Sequence, residues 1–405
     1  MDLTPLRQRD FRWLFSAQFV SFLGTMVTQV ALPYQVYQVT HSSLAVGMLG
    51  LAELLPLLVT AFLGGALADS TDRRRLVLMV HVGLMAGTAL LALNALRETP
   101  SITMLYVGAA LMSGLSGLQR PSLEAITPRV LDKEQLAAAS ALSAFRGSVG
   151  MILGPALGGI LIASVGVPVT YLFDLATYVF SFAAIRQIRP IPPEPGAEPP
   201  SLAAVVAGFQ YARSRQELMG TYVVDFVAMI FGMPMALFPA MAEHLGGAPA
   251  LGPLYAAPAV GALLASVTGR WLARVQRHGL GVLIAAAAWG AAIIAFGLCD
   301  RLAPAIVCLA VAGGADAMSG IFRMTMWNET IPDALRGRLA AIEMVSYMSG
   351  PLLGHVESGA VAALLSVRAS VVSGGVLCVI GVLVCGVLLP RFVAYDAREW
   401  RRARG

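Results

Sequence analysis

Apolar residues fall in twelve long stretches separated by short polar breaks, at roughly 13–38, 44–68, 76–96, 102–123, 137–164, 167–187, 216–241, 250–273, 279–298, 303–326, 337–364 and 369–390. A helix needs roughly 20 apolar residues to cross a bilayer, and each stretch is about that long or longer. In hydrocarbon every backbone N–H and C=O must be satisfied inside the segment, which a helix achieves and an open strand does not. The pattern predicts an all-α integral membrane protein of twelve transmembrane helices. Composition agrees. Hydrophobic types make up 57% of the 405 residues and charged types only 13%, where soluble domains carry about 25% charge. Mean hydropathy is +0.74. These proportions exclude a soluble enzyme, a disordered chain and a nucleic-acid binder.

The charges then orient the chain. If the N-terminus is cytoplasmic, all but three of the 28 Lys and Arg fall at cytoplasmic ends and loops, Arg323 among them. Only Arg97, Arg301 and Arg368 fall on the other side. Positive residues collect on the cytoplasmic face, so both termini are expected inside and the span count even. The net charge of +5 is thereby explained without a nucleic-acid partner. The opening MDLTPLRQRDFRWLF lacks the short apolar region and small-residue cleavage site of a removable leader, so the first span itself is expected to direct insertion. The four Cys form no CxxC and no disulfide framework.

A proline-rich segment, RPIPPEPGAEPPS at 189–201, suits a stiff linker. It divides the chain into an N-terminal six-helix bundle (1–188), a linker with an amphipathic helix (189–215), a C-terminal six-helix bundle (216–392) and a cytoplasmic tail (393–405). In the amphipathic helix Leu202, Val205, Val206, Phe209 and Tyr211 lie mostly to one side, as expected at the cytoplasmic interface. The halves repeat each other. MSG at Met112 recurs at Met318, TP at Thr127 as IP at Ile331, LAAA at Leu136 as LAAI at Leu339, and GPALGG at Gly154 as GPLLGH at Gly350. GGALAD at Gly64 has a degenerate echo in GRWLAR at Gly269. Matches in order at a spacing of about 200 residues indicate duplication. Two bundles related by a pseudo-twofold axis form a known transporter plan, with alternating access to a midplane site.

The loop between spans two and three reads GGALADSTDRRRLVL. Gly65, Leu67, Ala68, Asp69, Arg73 and Arg74 resemble the G-x-L-A-D-r-x-G-r-k loop signature of the major facilitator superfamily, with Asp72 where the family usually has Gly. Physically, an acid at a helix end can pair with nearby arginines and with a helix N-terminus. The cluster then acts as a conformational latch, and the resemblance adds Glu124 as a third partner. In span five Gly150, Gly154, Pro155 and Gly158 resemble the G-x-x-x-G-P-x-x-G signature of drug:proton antiporters. Glycines at i and i+4 allow close helix crossing, and proline bends the helix. The resemblance runs through most of the chain and is closest to the bacterial enterobactin-exporter and macrolide-efflux branch. It implies a monomeric transporter of the bacterial inner membrane.

Ionisable groups inside spans are expensive and hence functional candidates. A proton-coupled exporter needs an acid that is ionised in one state and protonated in the other. Asp225 and Asp316 are the leading candidates, followed by Glu357 and His355. Glu53 and Asp174 are read as hydrogen-bonding to neighbouring helices, and Glu343 as pairing with Arg338. Gln18, Thr25 and Gln29 share a face of span one and are expected to line the substrate cavity, with Phe226, Met229 and Met233 from span seven. Arg120 and Arg146 lie one to two turns inside the cytoplasmic face, where they either snorkel to the interface or meet an anionic substrate.

These readings converge on a secondary transporter that exports drug-like or siderophore-like amphipathic molecules by alternating access, as a proton antiporter. The expected partners are a small-molecule substrate, protons and membrane lipids. A lipid or lysolipid transporter on the same fold, and a non-transporting receptor or scaffold, remain as alternatives. The sequence carries no Walker loop, HExxH or GxSxG, so no enzyme, metal or other cofactor is expected.

Overall fold

The structure, a computed structural model, describes residues 2–192 and 210–398. The proline-rich linker from residue 193, most of the expected amphipathic helix and the tail beyond 398 lie outside the described residues. Among the described residues the regular elements are all helical. The α-helices are α1 (Arg9–Thr40), α2 (Ser43–Ser70), α3 (Arg73–Ala95), α4 (Ile102–Val130), α5 (Leu136–Ile185), α6 (Gln216–Phe231), α7 (Phe238–Leu245), α8 (Ala248–Thr268), α9 (His278–Gly297), α10 (Leu302–Thr330), α11 (Asp333–Leu364), α12 (Val367–Leu388) and α13 (Pro390–Val393).

Ten helical segments among the described residues are long and apolar enough to cross a bilayer. The sequence pattern predicts twelve. Expected spans five and six run together in α5, which turns at Gly166, where φ is +82°. A residue with a side chain is strained at such an angle, and glycine is not. Expected span eleven lies in α11, most of whose first half lies outside the described side chains. Expected span seven is itself broken. α6 stops at Gly232, and a 3-10 turn over Pro234–Leu237 leads into α7. The Gly232 carbonyl freed by the break accepts a hydrogen bond from Trp289 Nε1 at 2.9 Å, as a helix end buried away from water requires.

Two compact units make up the chain. The first comprises residues 1–41, 51–200 and 248–256, and the second residues 42–50, 201–247 and 257–405. The short exchanged segments are the beginnings of α2 and α8.

In the first unit α1 packs along α5, and α3 lies against α4 and α5. The antiporter-like glycines make the α1–α5 crossing. Gly150 faces the Phe22 ring, Gly154 faces Met26, and Gly158 lies against Val27 and its carbonyl. Below the crossing, Phe11, Leu14 and Ala17 of α1 share a buried cluster with Val77, Ile126, Ala139, Leu142 and Ile185.

The second unit repeats this device. Gly350 and Gly354 of α11 lie against Met229 and the carbonyls of Met229 and Ile230 on α6. The duplication seen as GPALGG and GPLLGH is therefore a duplicated helix crossing. Elsewhere in this unit α9 packs on α10 and α12.

Large apolar side chains such as Leu55 (64% exposed) and Val387 (80% exposed) cover the outside. A soluble surface would hide them, whereas lipid does not penalise them.

Candidate functional site

Two rungs tie α6 to α10 within the second unit. Trp327 Nε1 donates to Thr221 Oγ1 at 2.8 Å. One turn along both helices, Arg323 Nη1 lies 2.5 Å from Asp225 Oδ1. The side chains of Arg323 and Asp225 are only 12% and 11% exposed. Asp316 stands seven residues before Arg323 on α10, hence on the same face. Its Oδ1 is 3.8 Å from Arg323 Nη2, and its side chain is 43% exposed. Arg323 Nε is buried with no hydrogen-bond partner among the described residues.

One fixed cation thus serves two acids unequally. Asp225 takes the close, enclosed contact, and Asp316 takes the long, open one. Guanidinium remains charged at any working pH, so the array carries a net −1 with both acids ionised and is neutral with one protonated. Protonating Asp316 would leave Asp225 matched by Arg323, with no buried charge stripped of its partner.

Arg323 was not singled out from sequence. Counting cations by topology places it with the cytoplasmic ends, yet it is enclosed within α10. The available signal was its spacing, two turns from Asp316.

The first unit holds a polar core of different character. Asp174 is fully buried and accepts hydrogen bonds from Thr28 Oγ1 at 2.5 Å and Thr177 Oγ1 at 3.2 Å. Gly24 provides the room, since a side chain there would collide with Asp174 and Thr177. Around it, Thr25 bonds Tyr178 at 2.9 Å, Tyr171 donates to Gln35 at 2.9 Å, and His81 bonds Ser181 at 2.8 Å. No cation pairs with Asp174 among the described residues, so its part here is to hold α1 against the second half of α5.

Of the latch residues, Arg73 is buried and its N–H donates to the Ile191 carbonyl at 3.0 Å. Arg74 donates to the carbonyls of Ile185 and Arg186 at 3.3 and 2.7 Å, satisfying the C-terminal end of α5. Asp72 caps α3 by accepting from the Arg75 N–H at 2.8 Å, which gives this position its own reason for an acid. The side chain of Asp69, and position Gly65, lie outside the described side chains, as does Glu343. Glu124 pairs with Arg120 at 3.1 Å on the same helix, both well exposed.

His355 is packed beside Gly50, with Nε2 buried and without a hydrogen-bond partner among the described residues. Glu357 is half-buried two residues on. Among the described residues neither forms an ion pair or hydrogen bond with Arg323. Of the residues expected to line a cavity, Gln29 is exposed and Gln18, Met233 and Arg146 are partly buried. Thr25 is engaged by Tyr178, while Met229 and Phe226 pack onto Gly350. Among the described residues no group of three His, Cys, Asp or Glu side chains could hold a metal ion.

Residues 1–402 match the model of a family described as transmembrane secretion effectors. The chain belongs to that family. It is a branch of the major facilitator superfamily, which makes this multi-pass membrane protein a secondary transporter of small molecules and not an enzyme. The chain is 29% identical over 393 residues to the enterobactin exporter EntS of Shigella boydii serotype 18, covering 97% of this chain and 93% of that protein. It is 28% identical, with the same coverage, to the enterobactin exporter EntS of Escherichia coli O1:K1.

Among solved structures, a POT family transporter in complex with 5-aminolevulinic acid aligns with a TM-score of 0.76 at 12% identity, covering 94% of this chain and 96% of that one. A bacterial homologue of the human lysosomal transporter Spinster aligns with a TM-score of 0.73 at 15% identity over 99% of each chain. These likenesses show the major facilitator fold expected from the sequence.

Proposed function

We propose that this transporter exports amphipathic small molecules, siderophore-like or drug-like, across the bacterial inner membrane in exchange for protons. Both termini face the cytoplasm, and one chain in the lipid bilayer suffices. The observation that carries the proton half of this reading is the unequal sharing of Arg323 between Asp225 and Asp316. A proton shifts a conformational equilibrium only by binding one state better than the other. Asp316 provides that difference, because its carboxylate is open and loosely held while Arg323 is already matched by Asp225. Protonation removes the pull of Asp316 on the guanidinium and leaves the Asp225 pair to hold α6 and α10 together. The export direction is supported by the enterobactin exporters named above and by the GPALGG glycines on α5. The latch (Gly65, Asp69, Arg73, Arg74 and Glu124) and the crossing glycines (Gly150, Gly154, Gly158, with Pro155) serve the alternation between states.

The test is uptake of enterobactin and of ethidium into inverted membrane vesicles, with and without an uncoupler. Uptake of at least one compound that collapses with the pH gradient, and that loses gradient dependence in Asp316→Asn, supports the reading. Uptake insensitive to the uncoupler, or gradient dependence intact in Asp316→Asn, removes proton exchange at this acid.

A further inference from the structure

Arg146 is a cation without an anion among the described residues. It sits on α5 with buried Leu142 one turn before it and buried Gly150 one turn after it, so it shares their face and not that of its exposed neighbours Ala144 and Phe145. No hydrogen bond or ion pair engages it among the described residues, in contrast to Arg120, Arg189, Arg323 and Arg368, each of which has a carboxylate partner.

The α1–α5 crossing says what lies opposite. Gly150 meets Phe22 and Gly154 meets Met26, so the two helices run in parallel with a fixed register. One turn back along each, that register sets Arg146 level with Gln18. Gln18 is partly buried, and no hydrogen bond is made by its amide among the described residues. Gly147, beside Arg146, faces open space, since a side chain there would meet nothing within 4 Å. A guanidinium with five donors and an amide with two thus stand at one level, without a protein partner among the described residues, beside the open space at Gly147.

An unpaired cation inside a span is costly, and a site that retains one is built for an anion that arrives later. We infer that Arg146, assisted by Gln18, anchors an anionic oxygen group of the transported molecule, a carboxylate or phenolate on an apolar body. The assignment rests on the reading of this chain as a small-molecule transporter and adds the charge class of its cargo. Arginine suits the task because its planar fork matches two oxygens at once.

The test is equilibrium binding to the purified full-length protein in nanodiscs, with no gradient applied. Three probes share one ring system and differ only in the polar group: 1-naphthoate, 1-naphthalenemethanol and 1-naphthylmethylammonium. A charge-assisted contact of this kind is worth roughly 10- to 100-fold in affinity. Wild type is expected to prefer naphthoate over the alcohol by about that factor. Arg146→Gln should remove the preference while leaving binding of the alcohol unchanged, and Arg146→Lys should keep part of it. A wild-type protein that binds naphthoate no better than the alcohol overturns the assignment. So does an Arg146→Gln protein that weakens all three probes alike, which marks a packing role. Loss of uncoupler sensitivity in vesicles would instead strike the proton-exchange reading and leave this affinity ratio untouched.

Discussion

The Arg323 guanidinium is held 2.5 Å from the Asp225 carboxylate, with both side chains almost wholly enclosed between α6 and α10. Removing one member of an enclosed pair leaves the other charge without compensation, which costs about 3–5 kcal/mol in buried settings. Asp225→Asn is therefore expected to lower stability by about 3 kcal/mol, the low end, because Asp316 can still draw on Arg323. Asp225→Asn combined with Arg323→Gln should recover most of the loss. Thermal unfolding in detergent reads both. Equal destabilisation by Asp225→Asn and Asp316→Asn would contradict the inequality of the two contacts.

The crossing glycines should not be equivalent. A Cβ at Gly354 meets the backbone carbonyls of Met229 and Ile230, which cannot move aside. One at Gly158 comes no closer than 3.2 Å to its neighbours, the Val27 carbonyl being the nearest. Overpacking typically costs about 1–3 kcal/mol. Gly354→Ala is expected at or above the top of that range and Gly158→Ala near the bottom, as measured by folded yield and melting temperature.

Asp174 is predicted to serve structure rather than coupling. Asp174→Asn preserves shape and hydrogen-bonding capacity, so uptake should stay gradient-dependent. Asp174→Leu strands the Thr28 hydroxyl, while that of Thr177 keeps its 2.7 Å bond to the backbone carbonyl of residue 174, and should cost about 1–3 kcal/mol for the buried group left unsatisfied. Gradient-independent uptake in a well-folded Asp174→Asn protein would move the coupling site into the first unit.

Cys299 follows α9 in a connecting segment, 4.0 Å from the Cys308 sulfur. Burial, with Cys308 and Asp300 beside it, pushes its thiol up to about 11. The thiolate is the reactive form, so maleimide labelling of Cys299 should be slow at neutral pH. Its rate should rise about tenfold per pH unit up to that value. Peptide mass spectrometry after timed labelling checks it, and fast labelling at pH 7 would contradict the burial.

Lipid makes much of this fold legible in advance, because hydrocarbon enforces helices of a set length and leaves the apolar stretches readable. The duplicated crossing was legible too, since GPALGG and GPLLGH mark the same backbone approach in both units. Three features were not. Gly166 joins two expected spans into one helical run, because a glycine at φ +82° turns the chain without a loop. The break at Gly232 depends on Trp289, distant in sequence, to satisfy its carbonyl. Arg323 was hidden because a topological count treats all cations alike, and only packing against Asp225 reveals an enclosed one. Asp225 and Asp316 themselves were readable as charges in apolar stretches; their shared partner was not.

The central claim, that Asp316 exchanges its proton as cargo is handled, is tested most directly by proton release from purified protein. A compound whose uptake into the vesicles collapses with the gradient is added in weakly buffered solution, and a pH-sensitive dye reports the change. The account predicts release of about one proton per chain from wild type and none from Asp316→Asn. Undiminished release from Asp316→Asn, or none from a wild-type protein whose uptake collapses with the gradient, would contradict it.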